Sequence, residues 1–170
     1  QMFYQNIGVE ILEYVLREMT DPSGGFYSTQ DADSKGESVT TPADVTKSAE
    51  GIFFVWTDQQ IKLLLGEKSG DLLCRYYGVT PSGNFEGKNI LWMPRSLDAV
   101  ARQMGLPLDE AETILKSGKE KLFLEREKRP KPFRDEKILT NLNGLMIGAF
   151  VEGYQVTRDK KYLVAAQSAA

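Results

Sequence analysis

The chain has 170 residues, 41% of them hydrophobic and 26% charged, which is the balance of an ordinary folded domain or a piece of one. Its net charge of −3 gives no global field toward nucleic acid or anionic membrane, and no apolar run approaches the roughly 18–20 residues that span a bilayer. Histidine is absent, which removes Ser-His and Cys-His dyads and imidazole metal sites; the single cysteine, Cys74, excludes an internal disulfide framework and fits a reducing cytosol, so the expected location is cytoplasmic.

Residues 7–19 carry Ile7, Ile11, Leu12, Val15, Leu16 and Met19 in the rhythm of an amphipathic helix. Asp21-Pro22 stops it, and Gly24-Gly25 turns the chain. "GFYS" (25–28) and "GIFFVW" (51–56) are short, aromatic and β-branched, which predicts that they pair as a hairpin. Residues 34–50 are polar and predict a mobile loop. Thr57 with Gln60 forms a capping box for a helix through about Leu65, ended by Gly66. A short helix follows near 70–77, and 78–92 is turn-rich with an apolar, strand-like end. Ser96 caps a helix to Met104, with Gly105 behind it. A long helix runs between Pro107 and Pro130, and 130–134 is a linker. Thr140 to Val156 is another helix, whose Gly144 and Gly148 allow close packing, and Asp159 caps the last one. About six helices and one or two small hairpins, without βαβ alternation, predict a mainly α chain. Both ends look cut from a longer polypeptide, since the chain runs almost at once into a helical pattern and closes on one without a stop signal.

"GGFYSTQDADSKGE" (24–37) poses a choice among a metal loop, catalytic carboxylates and a capped turn. Asp31, Asp33 and Gly36 fall at the first, third and sixth positions of a calcium loop. Lys35 and Pro42 stand at the fifth and twelfth, where oxygen ligands belong, so an EF-hand is rejected and no metal is expected. "SGNFEGKN" (82–89) fails the phosphate-loop pattern, because its glycines enclose too few residues and Asn89 replaces Ser or Thr after Lys88. It reads as a glycine-assisted turn that places Phe85 against the core. "FLEREKRPKPFR" (123–134) is basic but interrupted by Glu125 and Glu127, and reads as a solvated helix end. Cys74, within an apolar helical pattern, reads as a packing residue. The carboxylates Asp31, Asp33, Glu37, Glu50, Glu86, Asp135 and Glu136 remain as acid–base candidates, because paired carboxylates exchange protons when their environments differ.

Four segments together resemble a known family: "GGFYSTQDADSKGE", "EGIFFVWT" (50–57), "YYGVTPSGNFEGKNIL" (76–91) and "RDEKILTNLNGLMIGAF" (134–150). They look like the spermatogenesis-associated, thioredoxin-domain-containing proteins, in the same order and over nearly the whole chain. The resemblance implies that 1–170 is one fragment of an (α/α)6 toroid, six-hairpin glycosidase-like, with one or two small β-hairpins. A thioredoxin-like domain of the same full-length chain would precede it. By that resemblance Asp31 and Asp33 take the catalytic, proton-transfer or hydroxyl-binding roles and Trp56 stacks on a sugar. Glu50, Asn84, Glu86, Lys88, Asp135, Lys137 and Asn143 complete the ligand-binding set, with Gly144 beside them. The implied partner is a carbohydrate, with no cofactor, and the implied chemistry is sugar binding or an epimerase- or glycosidase-like reaction. Whether the chain is an enzyme stays open. The alternative is a non-catalytic scaffold that binds a protein and presents the thioredoxin-like domain. Neither nucleic acid nor membrane is an expected partner. A toroid fragment would expose apolar faces and self-associate through them. The sequence departs from the family in two places. Residues 38–49 are longer and less acidic than the usual linker, and Leu142 stands where a tryptophan usually precedes "NGLM".

Overall fold

The computed structural model describes residues 2–35 and 48–170. Among these residues the chain is mainly helical, with seven helices and four short strands. They form two compact units, residues 1–31 with 133–170, and residues 32–132.

The first unit holds α1 (Met2–Glu18), α6 (Thr140–Thr157) and α7 (Lys160–Ala169). α1 starts ahead of the predicted stretch, and its inward stripe is Leu12 and Val15, while Ile11 faces solvent. These two meet Phe26, Phe150, Tyr162 and Ala166 in one core. Phe26 stacks on Phe150 with ring centroids 5.0 Å apart. Burying side chains of this size stabilises by about 1.5–3 kcal/mol each. α6 ends at Arg158 in the left-handed region (φ 61°), and the Asp159 carboxylate accepts the Lys161 N–H at 3.1 Å to cap α7 as predicted. The turn after α1 depends on Gly24, at φ 108°, where a Cβ would lie 2.3 Å from the Ser168 carbonyl oxygen.

The expected hairpin between "GFYS" and "GIFFVW" does not form. Phe26 bridges back to Thr20, and β1 (Thr29–Gln30) pairs antiparallel with β4 (Arg134–Asp135), with Thr29 opposite Asp135. Strand propensity in so short a segment does not choose a partner, and the choice falls to packing with residues more than 100 positions away. The linker expected over 130–134 accordingly ends in a strand residue, Arg134.

In the second unit, α2 (Asp58–Leu65) carries the predicted capping box: Thr57 Oγ1 accepts from the Gln60 N–H and Gln60 Oε1 from the Thr57 N–H. Gly66 ends α2 and leads straight into α3 (Glu67–Tyr76), which begins earlier than expected. Ser96 caps α4 (Leu97–Met104), left-handed Gly105 closes it, and α5 (Leu108–Arg126) follows from Pro107. The helices converge on Ile61, Leu72, Leu73, Val100, Ala111 and Leu122. Gly118 admits α3 to α5, since a Cβ there would lie 2.7 Å from Leu73 Cδ2. The mobile loop expected over 34–50 is bounded by an antiparallel ladder of β2 (Asp33–Lys35) with β3 (Ser48–Glu50), and its residues 36–47 lie outside the described residues. Among the described residues, no helix is long and apolar enough to cross a membrane.

Candidate functional site

The acidic motif is divided between the two units. Asp31 belongs to the first unit and Asp33 to the second, which begins at Ala32. Asp31 is exposed, and its N–H donates to the Phe133 carbonyl at 2.7 Å. Strand β2 alternates outward, inward, outward, which sends Asp33 and Lys35 to solvent and buries Ser34. The Ser34 hydroxyl oxygen accepts the Phe53 N–H at 3.0 Å. Among the described residues of "DADSKGE", 31–35, the inward one is the serine. Glu50 lies directly opposite Asp33 in the ladder and is also exposed, so the two carboxylates share one face of the strand pair.

Trp56 is in the core. Its side chain is 3% exposed, and the Arg129 guanidinium covers its ring at 4.0 Å. The sugar-stacking role expected of Trp56 does not fit this placement, because a platform needs an open face. Arg129 holds its position by donating from Nη1 to the carbonyls of Phe53 at 2.9 Å and Val55 at 2.8 Å. The basic run read as a solvated helix end thus hides one of its cations inside the fold. Trp56 and Arg129, with Gln60, Leu63, Leu64 and Glu125, line a cavity of about 270 Å³.

Within "SGNFEGKN", Asn84 grips Ile90 at both ends: its Oδ1 accepts the Ile90 N–H at 2.8 Å and its Nδ2 donates to the Ile90 carbonyl at 3.0 Å. Lys88 is half-buried and makes a backbone bridge with Phe85, and Glu86 is exposed at φ 46°. Phe85 is only partly buried. The organising residue of this motif, Asn89, was not on the predicted set. It is buried, accepts from the Thr80 N–H at 3.0 Å, and donates from Nδ2 to the Trp56 carbonyl at 3.2 Å and the Thr80 carbonyl at 3.0 Å. An amide just behind two turn glycines and ahead of an apolar run was the available signal.

In the fourth segment, Asp135 accepts from the Lys137 N–H at 3.2 Å and from its Nζ at 2.8 Å. The Lys137 side chain holds the Asp135 carboxyl below its ordinary range. Arg134 lies over the Tyr27 ring at 4.2 Å and donates to the Glu18 carbonyl at 2.6 Å and to Glu136 at 2.7 Å. Asn143 is buried: its Oδ1 accepts the Phe26 N–H, and its Nδ2 donates to the carbonyls of Phe26 and Leu139. Its amide is committed to fixing the chain after Gly25, not turned toward a ligand. Gly144 is exposed, with open space where a Cβ would stand. Cys74 is buried as expected of a packing residue, and burial, reinforced by a hydrogen bond to Asp58, pushes its thiol up to about 12. Among the described residues, no three or more Cys, Asp or Glu side chains group to hold a metal ion.

A second concavity, of about 330 Å³, lies between α1 and α6. Tyr4, Ile11, Leu12, Ala149 and Val156 line it, with Glu152 as its charged group.

Human spermatogenesis-associated protein 20 is 40% identical over 174 residues, covering 91% of this chain and 21% of its own length. The mouse protein of that name is 36% identical, over 87% of this chain and 20% of its length. An uncharacterised protein of Caenorhabditis elegans is 30% identical, over 95% of this chain and 24% of its length. No family model matches the chain. The chain spans about a fifth of the length of the curated relatives it matches. Similarity at this level over nearly all of its residues shows that the chain belongs to the spermatogenesis-associated protein family.

Proposed function

We propose that the chain is a non-catalytic, interaction-bearing helical segment of a larger spermatogenesis-associated protein. The observation that carries this reading is the apolar surface on the first unit: Tyr4, Ile11 and Val156 line the α1–α6 concavity and are exposed, and Leu145 is exposed on α6 as well. Apolar surface of this kind marks contact with other protein. The side chains nominated for ligand binding support the same reading, since Trp56 and Asn143 are buried and brace the fold, and Asn84 ties its own turn to Ile90 at the surface. In this reading the sequential pairs α2–α3 and α6–α7, which pack side by side, are hairpins of an α/α toroid.

A sugar-directed reading is favoured by one feature. Asp33 and Glu50 stand opposite each other on an exposed ladder, where like charges oppose pairing and bound hydroxyl groups would relieve them.

Thermal melting with a panel of monosaccharides and N-acetylated sugars tests the two readings. A ligand that binds only the native state must raise the melting point by mass action. The scaffold reading expects a cooperative melt that no sugar shifts. A dose-dependent rise that disappears in the Asp33→Asn, Glu50→Gln double variant would overturn it in favour of sugar binding.

A further inference from the structure

We propose that the open face of α6 is the docking surface for one antiparallel amphipathic helix contributed by the rest of the same polypeptide; this rests on the interaction-bearing reading above. α6 is apolar nearly all round, yet among its residues only Asn143 and Phe150 are buried. The opposite side presents Leu142, Leu145, Ala149 and Val156 at helical three- and four-residue spacing, with Leu145 75% and Val156 64% exposed.

Two glycines sharpen the case. A glycine inside a helix costs about 1 kcal/mol relative to alanine, so it needs a reason. Gly153 has one, because a Cβ there would lie 2.4 Å from Leu12 Cδ1. Gly144 and Gly148 have none among the described residues, where nothing lies within 4 Å of the Cβ position. They lie along one edge of the Leu142–Leu145–Ala149–Val156 stripe, where small residues let a second helix axis come close.

Charge selects the orientation. Arg158, Lys160 and Lys161 outnumber Asp159 just past the C-terminal end of α6, whereas Asp135 and Glu136, ahead of its N-terminal end, are paired with Lys137 and Arg134. An antiparallel helix brings its first turn, where acidic residues favour the helix dipole, to Arg158 and Lys160. A parallel helix would bring its basic last turn there instead. Glu152, midway along the face, calls for one Lys or Arg in an otherwise apolar partner stripe. The occupant is assigned to the same polypeptide because this chain amounts to 20–24% of the relatives that it matches along most of its length.

The test is thiol accessibility at position 145. Leu145→Cys is placed in this chain, and a cysteine is placed at the aligned position of full-length human spermatogenesis-associated protein 20. Each is labelled with a maleimide and read by mass spectrometry of that peptide, with light scattering giving the oligomeric state. Val156→Cys repeats the experiment should the first variant melt early. The expected result is fast labelling in this chain and labelling slower by at least about tenfold in the longer protein as a monomer, the signature of a face covered by structure. Equal rates in the two proteins would overturn the proposal, as would protection found only in a dimer, which would assign the face to a second copy. These outcomes are separate from a sugar-induced melting shift, which would instead overturn the scaffold reading.

Discussion

Asn143 and Phe26 exchange two hydrogen bonds across 117 residues of sequence, N–H to Oδ1 at 2.7 Å and Nδ2 to carbonyl at 2.9 Å. One buried side-chain amide thus does for the strand-like segment after Gly25 what a neighbouring strand would do. It also sets Phe26 flat against Phe150. Removing the amide strands a buried N–H and a buried carbonyl, each worth about 1–3 kcal/mol when left unmade. Asn143→Leu is therefore expected to lose about 2–4 kcal/mol in urea unfolding, while Leu142→Ala, one position away on the exposed side, changes stability by less than about 1 kcal/mol. Similar losses at both positions would remove the amide from its bracing role.

Arg129 serves the second unit in the same manner. Its guanidinium joins two carbonyls, of Phe53 and Val55, and lies over Trp56. A lysine has neither the planar fork nor the stacking face. Arg129→Lys is expected to cost about 2–3 kcal/mol, because hydrogen bonds to a charged group carry about 1.5–3 kcal/mol. Tryptophan fluorescence should report it, since buried Trp56 gains access to water while Trp92 is exposed already. A lysine variant with wild-type emission and an unchanged urea midpoint would contradict this assignment.

What could be read in the sequence was local. Thr57 with Gln60, Ser96, Gly105 and Asp159 act within three or four residues of themselves, so their caps were legible and they formed where expected. The partner of "GFYS" was not legible, because β1 pairs with a strand more than 100 residues on. Nor does composition mark the division of the chain between Asp31 and Ala32. The site shows the same limit. Asp31 and Asp33 were visible as acids of a polar turn, but nothing near Arg129 in sequence announces that its partners are carbonyls 74 and 76 positions away. The same holds for Asn143, which the family resemblance nominated as a ligand group and the fold uses as a brace.

Tyr162 and Glu13 should make stability depend on pH at both extremes. The buried Tyr162 hydroxyl donates to Glu13 Oε1 at 2.7 Å, and Lys161 Nζ lies 2.8 Å from the same oxygen. Burial, then the bond to Glu13, pushes the Tyr162 phenol up to about 12. Hydrogen bonds from Lys161 and Tyr162 hold the Glu13 carboxyl below its ordinary range. A raised folded value means that Tyr162 contributes fully below the ordinary phenol value of about 10, and that its share is lost as pH climbs toward 12. The lowered Glu13 contributes fully above its ordinary value of about 4.3 and loses its share as pH falls through the lower folded value. Urea midpoints should therefore be flat between about pH 5 and 8 and fall on either side, with the buried Cys74 thiol, also pushed up to about 12, sharing the alkaline limb. Tyr162→Phe should make the alkaline limb shallower and leave the acid limb, which Lys161 sustains. An alkaline limb of the same slope in the variant would assign it to other groups.

Gly148 and Gly153 occupy one helix and should respond to alanine with opposite signs. At Gly148 nothing lies within 4 Å of the new methyl group, so Gly148→Ala gains helix propensity alone. It should stabilise this chain by about 0.5–1 kcal/mol. At Gly153 the methyl group would lie 2.4 Å from Leu12 Cδ1, which must shift within the core of the first unit. Overpacking of that kind costs about 1–3 kcal/mol, more than propensity returns. Urea unfolding of the two variants measures both effects under one condition. Two stabilising substitutions would mean that Leu12 yields easily and that α1 is not closely seated on α6. Two destabilising ones would mean that the Gly148 face is already covered in this chain. If a helix of the longer protein closes on that face, Gly148→Ala should lose its benefit there, because the methyl group then meets the neighbour that the glycine admits.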